Sequence, residues 1–227
     1  MKALRLPRRI AIVSILAMVY ACDRLPGRPS ISNFPLNPAQ VTDFETLYHE
    51  NCAGCHGPDG RFGAALPLNN PAYLAIVDDA SLRSAIANGI QGTSMPAFAI
   101  GSGGLLTDSQ ITCIVTGIRS RWSGGESAFA GTPPYASEVS GDPVKGAKLF
   151  DEYCASCHGD NGTGGTAGAI ADPSFLALYD DQTLRALIIA GRPDLGHPGW
   201  RDYPGKAPLD SSQISDLVLW LAGKRGS

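Results

Sequence analysis

Cys52-Ala53-Gly54-Cys55-His56 and Cys154-Ala155-Ser156-Cys157-His158 put two thiols and an imidazole at one spacing in both halves of the 227-residue chain. Two cysteines three positions apart can each add to one vinyl group of the same porphyrin. The adjacent His can then ligate the iron from beneath the ring, which is the attachment pattern of a c-type haem. A single motif would also suit a redox dithiol or a chance match. Two in register imply two covalent haem c groups, held by Cys52, Cys55 and His56 and by Cys154, Cys157 and His158.

The motifs belong to an internal repeat. Adding 102 to the numbers of the first half reproduces the second: Leu47-Tyr48 becomes Leu149-Phe150, Pro71-Ala72-Tyr73-Leu74 becomes Pro173-Ser174-Phe175-Leu176, and Met95-Pro96 becomes His197-Pro198. Near the end the offset grows to 103, so that Leu106-Thr107 matches Leu209-Asp210 and Ile111 matches Ile214. Two units are too few for a solenoid, so each unit is expected to be a domain of its own.

The N-terminus reads as an address. Lys2, Arg5, Arg8 and Arg9 precede an apolar run from Ile10 to Ala21. That run suits a signal peptide and is too short to span a bilayer. Val19-Tyr20-Ala21-Cys22 resembles a bacterial lipoprotein lipobox, which implies lipidation of Cys22 and anchoring on the periplasmic side of a membrane. The alternative is an ordinary signal cleaved nearby, with Cys22 a spare thiol. Several acyl chains would anchor the protein stably where one binds only marginally.

Charge narrows the partners. The chain carries 18 basic and 21 acidic residues, and losing residues 1–21 removes four basic groups and no acidic one, which leaves a net charge of −7. This balance disfavours nucleic acid as a partner; a basic docking surface on a redox protein suits it, through steering that salt screens. Four of the six cysteines serve the haem motifs and one the lipid site, so Cys113 is left as an isolated thiol in a helix.

The elements that must position the motifs are helical. Residues 22–37, with Pro26, Gly27, Pro29 and Pro35, read as a tether, 38–122 as the first domain, 123–141 as a linker and 142–225 as the second domain. Asn37-Pro38 and Asp142-Pro143 each pair an N-cap residue with Pro at the first helical position. Asp79 or Ser81, and Asp181 or Thr183, are expected to cap a helix that stops at Gly89 or Gly191. The last helix of each domain opens with a capping box, Thr107 to Gln110 and Asp210 to Gln213. Ile111, Ile114, Val115 and Ile118, repeated as Ile214, Leu217, Val218 and Leu221, give its buried stripe. No alternating strand pattern competes. The glycine-rich stretches 57–63 and 159–168 are loops at the haem edge, and a phosphate-loop reading fails because no strand precedes them.

With these motifs and this helix order the chain resembles the class I cytochromes c, specifically their two-domain dihaem members. The resemblance covers both repeats. It implies an all-α fold of two tandem domains, each of three to four helices around one covalent haem, with the first and last helices crossing. It implies His56 and His158 as proximal iron ligands and Met95, 39 residues after His56, as the distal ligand of the first haem. The second domain departs from the family, because it contains no Met. His197 stands in register, again 39 residues after the proximal His and again before Pro. Lys206 in the same loop is a second candidate, and a surface His beside a five-coordinate iron is the remaining alternative. His49, on the helix leading into the first motif, faces the wrong side of the ring. At the helix crossing the first domain carries Phe44 and Gly117 where the second carries Gly146 and Trp220, so a large and a small residue are expected to have changed places.

The ligand difference bears on function. Methionine ligation raises a haem potential relative to imidazole. The second haem is thus expected to lie lower, by roughly 0.1–0.3 V, where about 59 mV is a factor of ten in equilibrium. Electrons would enter at the second domain and leave from the first. The expected role is a membrane-tethered periplasmic electron carrier, or a cytochrome subunit of a respiratory or photosynthetic complex. The alternative is a dihaem enzyme, a peroxidase or a thiosulfate-oxidising cytochrome, which needs an open iron position with acid–base groups beside it.

Overall fold

The structure is a computed structural model and describes residue 30 and residues 35–124 and 129–226. The apolar run and Cys22 lie outside the described residues, and none of the described helices is long and apolar enough to cross a membrane. The chain divides into two compact units, 1–40 and 41–227. In the first, Asn37 Oδ1 accepts from Ala39 N at 3.0 Å over a single 3-10 turn, Pro38–Gln40.

The second unit holds both repeats, and every regular element described in it is helical. The first repeat folds as α1 (Phe44–Asn51), α2 (Ala53–His56), α3 (Pro71–Ile76), α4 (Asp79–Asn88) and α5 (Asp108–Trp122). The second gives α6 (Pro143–Tyr153), α7 (Ala155–His158), α8 (Pro173–Leu176), α9 (Asp181–Ala190) and α10 (Ser211–Ala222). The short α2 and α7 continue α1 and α6 across a loosened turn at Cys52 and Cys154, so each domain has four helices plus the motif turn.

Both capping boxes form as expected, with Thr107 accepting from Gln110 N and Asp210 from Gln213 N. Three helix starts differ. α1 does not begin at Asn37-Pro38 but at Phe44, because Asp43 takes the cap with Oδ2 2.9 Å from Thr46 N. α4 and α9 are capped by neither of the expected pairs but one residue before the nearer candidate, by Asp78 to Ser81 N at 2.6 Å and Asp180 to Thr183 N at 2.8 Å. An N-cap needs extended backbone, which Asp78 and Asp180 have; Asp79 and Asp181 then sit in the first turn, where the helix dipole favours an anion.

The stripes Ile111, Ile114, Val115, Ile118 and Ile214, Leu217, Val218, Leu221 are buried. They pack on Leu47 and Tyr48 in the first repeat and on Phe150 in the second. The first core also takes in Ala186 and Ala190 of α9, so the repeats share an interface. It is sealed by polar bonds. Asn70, 2% exposed, caps α3 with its oxygen and donates from Nδ2 to Ala190 O and Gly191 O at 3.3 and 3.2 Å. Tyr179 Oη donates to Ala64 O at 2.7 Å.

The linker is fastened as well. Arg185, 2% exposed, donates from Nε to Pro134 O at 3.0 Å and Tyr135 O at 3.1 Å, and from Nη2 to Pro134 O at 3.0 Å and Ser211 Oγ at 2.8 Å. A buried guanidinium must find acceptors for its donors, and here backbone carbonyls and hydroxyls supply them.

Candidate functional site

Each motif is built the same way. The first helix of the domain delivers the first cysteine, buried at Cys52 and half-buried at Cys154; one further turn presents the second, Cys55 or Cys157, to solvent. Burial pushes the Cys52 and Cys154 thiols up to about 12. A redox dithiol works through a thiolate with a lowered pKa, so this environment disfavours that reading of the motifs.

The imidazoles are oriented by backbone. His56 Nδ1 lies 2.7 Å from Leu66 O, and His158 Nδ1 lies 3.0 Å from Gly168 O, ten residues on in both cases. A carbonyl can only accept, so Nδ1 carries the proton and Nε2 keeps a free lone pair, the state a metal-ligating His needs. Burial lowers the His56 pKa, against the Leu66 hydrogen bond, and the Arg192 charge lowers it further.

The distal loops also match. α4 and α9 end at Gly89 and Gly191, with φ of +68° and +67°. A Cβ on Gly89 would lie 2.7 Å from Met95 O, and one on Gly191 2.7 Å from His197 O. Ile90 N donates to Met95 O at 3.0 Å and Arg192 N to His197 O at 3.1 Å. Met95 and His197 therefore occupy one position on one loop geometry. Met95 packs against the first core, partly buried.

In the second domain the His158 and His197 rings stand opposed, with centroids 5.9 Å apart and planes at 47°. Two imidazoles bonded end-on to one metal, with bonds of about 2 Å each, would hold their centroids roughly 6 Å apart. His197 Nδ1 is buried with no hydrogen-bond partner among the described residues. Burial, and then the neighbouring His158, lower its pKa to about 4. A neutral, desolvated imidazole whose ring stands 5.9 Å from a second imidazole fits an iron that the polypeptide does not supply. Lys206 is directed elsewhere: its Nζ lies 3.4 Å from Glu152 Oε1 and 5.9 Å from the Tyr153 ring centroid. His49 is exposed on α1. Cys113 Sγ donates to Thr42 O at 3.0 Å.

Four side chains near the sites were not singled out from the sequence: Asn70, Arg185, Arg192 and Asp194. A signal for the last two was present. Where the second repeat has Arg192 and Asp194, the first has Ile90 and Gly92, so a charge pair stands in one copy alone.

Two all-helical domains, each presenting a Cys-x-x-Cys-His turn and a distal loop, define tandem class I cytochromes c. The subunit III model of cbb3-type cytochrome c oxidase matches residues 39–116, and the cytochrome c model matches residues 143–223. A FixP subunit of a cbb3-type cytochrome c oxidase from Azorhizobium caulinodans is 30% identical over 218 residues, covering 88% of this chain and 69% of that protein. A CcoP subunit from an Azospirillum species is 31% identical over 78% of this chain and 59% of its own length; a Bradyrhizobium diazoefficiens FixP is 28% identical over 86% and 66%. The chain belongs to the family of haem c-binding cytochromes that includes the CcoP and FixP subunits. It spans 59% and 66% of the length of those last two relatives.

Proposed function

We propose that the protein relays single electrons as a dihaem cytochrome c, with Cys52, Cys55, His56 and Met95 serving the first haem and Cys154, Cys157, His158 and His197 the second. When bound, each haem supplies an iron that gains and loses one electron. The chain does the rest. The paired cysteines fix each ring covalently, and Leu66 O and Gly168 O hold the proximal imidazoles in the ligating tautomer. The His158 ring opposite His197, which stands on a loop that matches the Met95 loop, is the observation that carries the reading.

Imidazole where the first domain has a thioether lowers the potential of the second site, so electrons enter at the second domain and leave from the first. The relatives are named as oxidase subunits, which supports a place beside a membrane respiratory complex of the cbb3-type class. Lipid on Cys22 would hold the domains on the periplasmic side of the membrane. An enzymatic role would need an iron position free of protein ligands, and the Met95 and His197 loops leave none in this reading.

The test is spectroscopic. The purified protein should bind two haem c per chain, as a pyridine haemochrome. The ferric protein should show the weak sulfur-to-iron absorption band for one of them, and Met95→Ala should abolish that band. Survival of the band in the variant, or a high-spin fraction in the native protein with rapid peroxide turnover, would overturn the assignment.

A further inference from the structure

Arg192 is bonded to both candidate sites. Its backbone pairs with His197 in both directions, N to His197 O at 3.1 Å and O from His197 N at 3.0 Å. Its side chain reaches across the interface, where Nη2 donates to Gly63 O of the first domain at 3.0 Å. Gly63 is pressed onto the first haem motif, since a Cβ there would lie 2.2 Å from Cys55 O and 2.6 Å from His56 C. One residue thus joins the loop that carries His197 to the loop that backs His56.

Asp194 holds the arginine in place. Arg192 Nε and Nη2 meet Asp194 Oδ1 and Oδ2 at 3.2 and 2.7 Å, and Asp194 Oδ2 also accepts from Phe62 N at 2.9 Å. The side chains are 12% and 3% exposed, so water and salt screen them weakly. Phe62 has φ +63° although it is not glycine, and is 69% exposed; the Asp194 bond fixes this unfavourable conformation.

We propose that Arg192, held by Asp194, is a positioning residue shared by the two haem sites, which fixes their loops to each other and sets both redox potentials together. The proposal rests on the dihaem reading above. A cation near an iron favours the ferrous form, which carries one positive charge fewer, and an anion favours the ferric form. Arg192→Gln removes the cation and leaves the Asp194 carboxylate unpaired, so both potentials fall. Asp194→Asn leaves the cation unpaired while keeping an acceptor for Phe62 N, so both potentials rise. Mere loosening of the interface would move both variants the same way.

The experiment is a potentiometric titration of the full-length protein with two haems per chain, as wild type, Arg192→Gln and Asp194→Asn. The expected result is a shift of each haem by at least about threefold in its redox equilibrium constant, roughly 28 mV, downward in the first variant and upward in the second. If Arg192→Gln fails to hold two haems, a joint rise in Asp194→Asn carries the test alone. Movement of one haem only, shifts of the same sign in both variants, or no shift would overturn the proposal. Fewer than two haem c groups in the wild type would instead overturn the dihaem reading itself.

Discussion

The two helix crossings pair a glycine with a ring in opposite order, Phe44 with Gly117 and Gly146 with Trp220, and should respond differently to one added methyl group. In the first domain a Cβ on Gly117 would fall 2.0 Å from Phe44 Cδ2 and 2.3 Å from Cγ, against an ordinary carbon contact of about 3.5–4 Å. The ring cannot easily step aside. Tyr48 and Trp122 pack on it at centroid distances of 5.5 and 5.9 Å, and the Arg121 guanidinium lies 5.0 Å over it. Overpacking of this kind costs about 1–3 kcal/mol, and replacing a helical glycine with alanine returns about 1 kcal/mol. Gly117→Ala should therefore destabilise by about 1 kcal/mol, a Tm loss of about 2–4 °C for a unit of this size. Phe44→Ala, which removes a half-buried ring, should cost roughly 1–2 kcal/mol. Together they should cost less than the sum by about 1–2 kcal/mol, because the new methyl group fills the space the ring vacates. In the second domain a Cβ on Gly146 would lie 2.1 Å from Asp216 O, a backbone atom, and 2.8 Å from Trp220 Cβ. Trimming Trp220 to Ala removes neither atom, so Gly146→Ala should stay unrescued. Thermal melts of the holoprotein at equal haem content measure both cycles. Additivity within about 0.5 kcal/mol at Phe44/Gly117, or rescue of Gly146→Ala by Trp220→Ala, would refute a shared cavity in the first domain and close backbone crossing in the second.

Three further outcomes are expected. His197→Met should raise the potential of the second haem toward that of the first and merge two redox waves in a titration; an unchanged titration would mean that His197 does not bind the iron. Cys22→Ser should move the protein from washed membranes to the soluble periplasmic fraction with both haems retained, and retention on the membrane through high salt and carbonate would count against the lipid anchor. Burial raises the Asp194 pKa but the Arg192 and Phe62 hydrogen bonds outweigh it, so the folded value lies below the unfolded one. Its stabilisation is complete above the unfolded pKa of about 3.9 and is lost as pH falls through the folded value. Acid melting curves of Asp194→Asn should accordingly begin to approach those of the wild type only as pH falls below about 4 and meet them below the folded value, and a gap that stays constant from neutral pH into acid would show that the carboxylate charge is not what stabilises.

What the sequence made legible was local or repeated. The stripe from Ile111 to Ile118 and the Thr107–Gln110 box depend on neighbours within one or two turns, and the second copy supplied a check on each. Capping falls on Asp78 and Asp180, one residue before Asp79 and Asp181 and three before Ser81 and Thr183, because adjacent acids present the same local signal; only the backbone conformation separates cap from first turn. The α1 start was missed because Asn37-Pro38 is the stronger-looking signal, while Asp43 also finds the Thr46 hydroxyl at 2.8 Å. Asn70 was out of reach for another reason. Its bonds to Ala190 and Gly191 span 120 and 121 residues, and no periodicity reports them. The one hint is that its counterpart is Asp172, a residue that can cap a helix but has no N–H to give.

The buried Arg185 has a consequence for kinetics. With Pro134 and Tyr135 fastened to α9 and Asn70 and Tyr179 bonding one repeat to the other, the dihaem reading expects two haem sites held at a fixed separation. Tunnelling between fixed sites depends on distance and driving force, whereas transfer gated by a swinging domain slows with the medium. Adding glycerol should slow encounters with external redox partners and leave the internal step at its original rate.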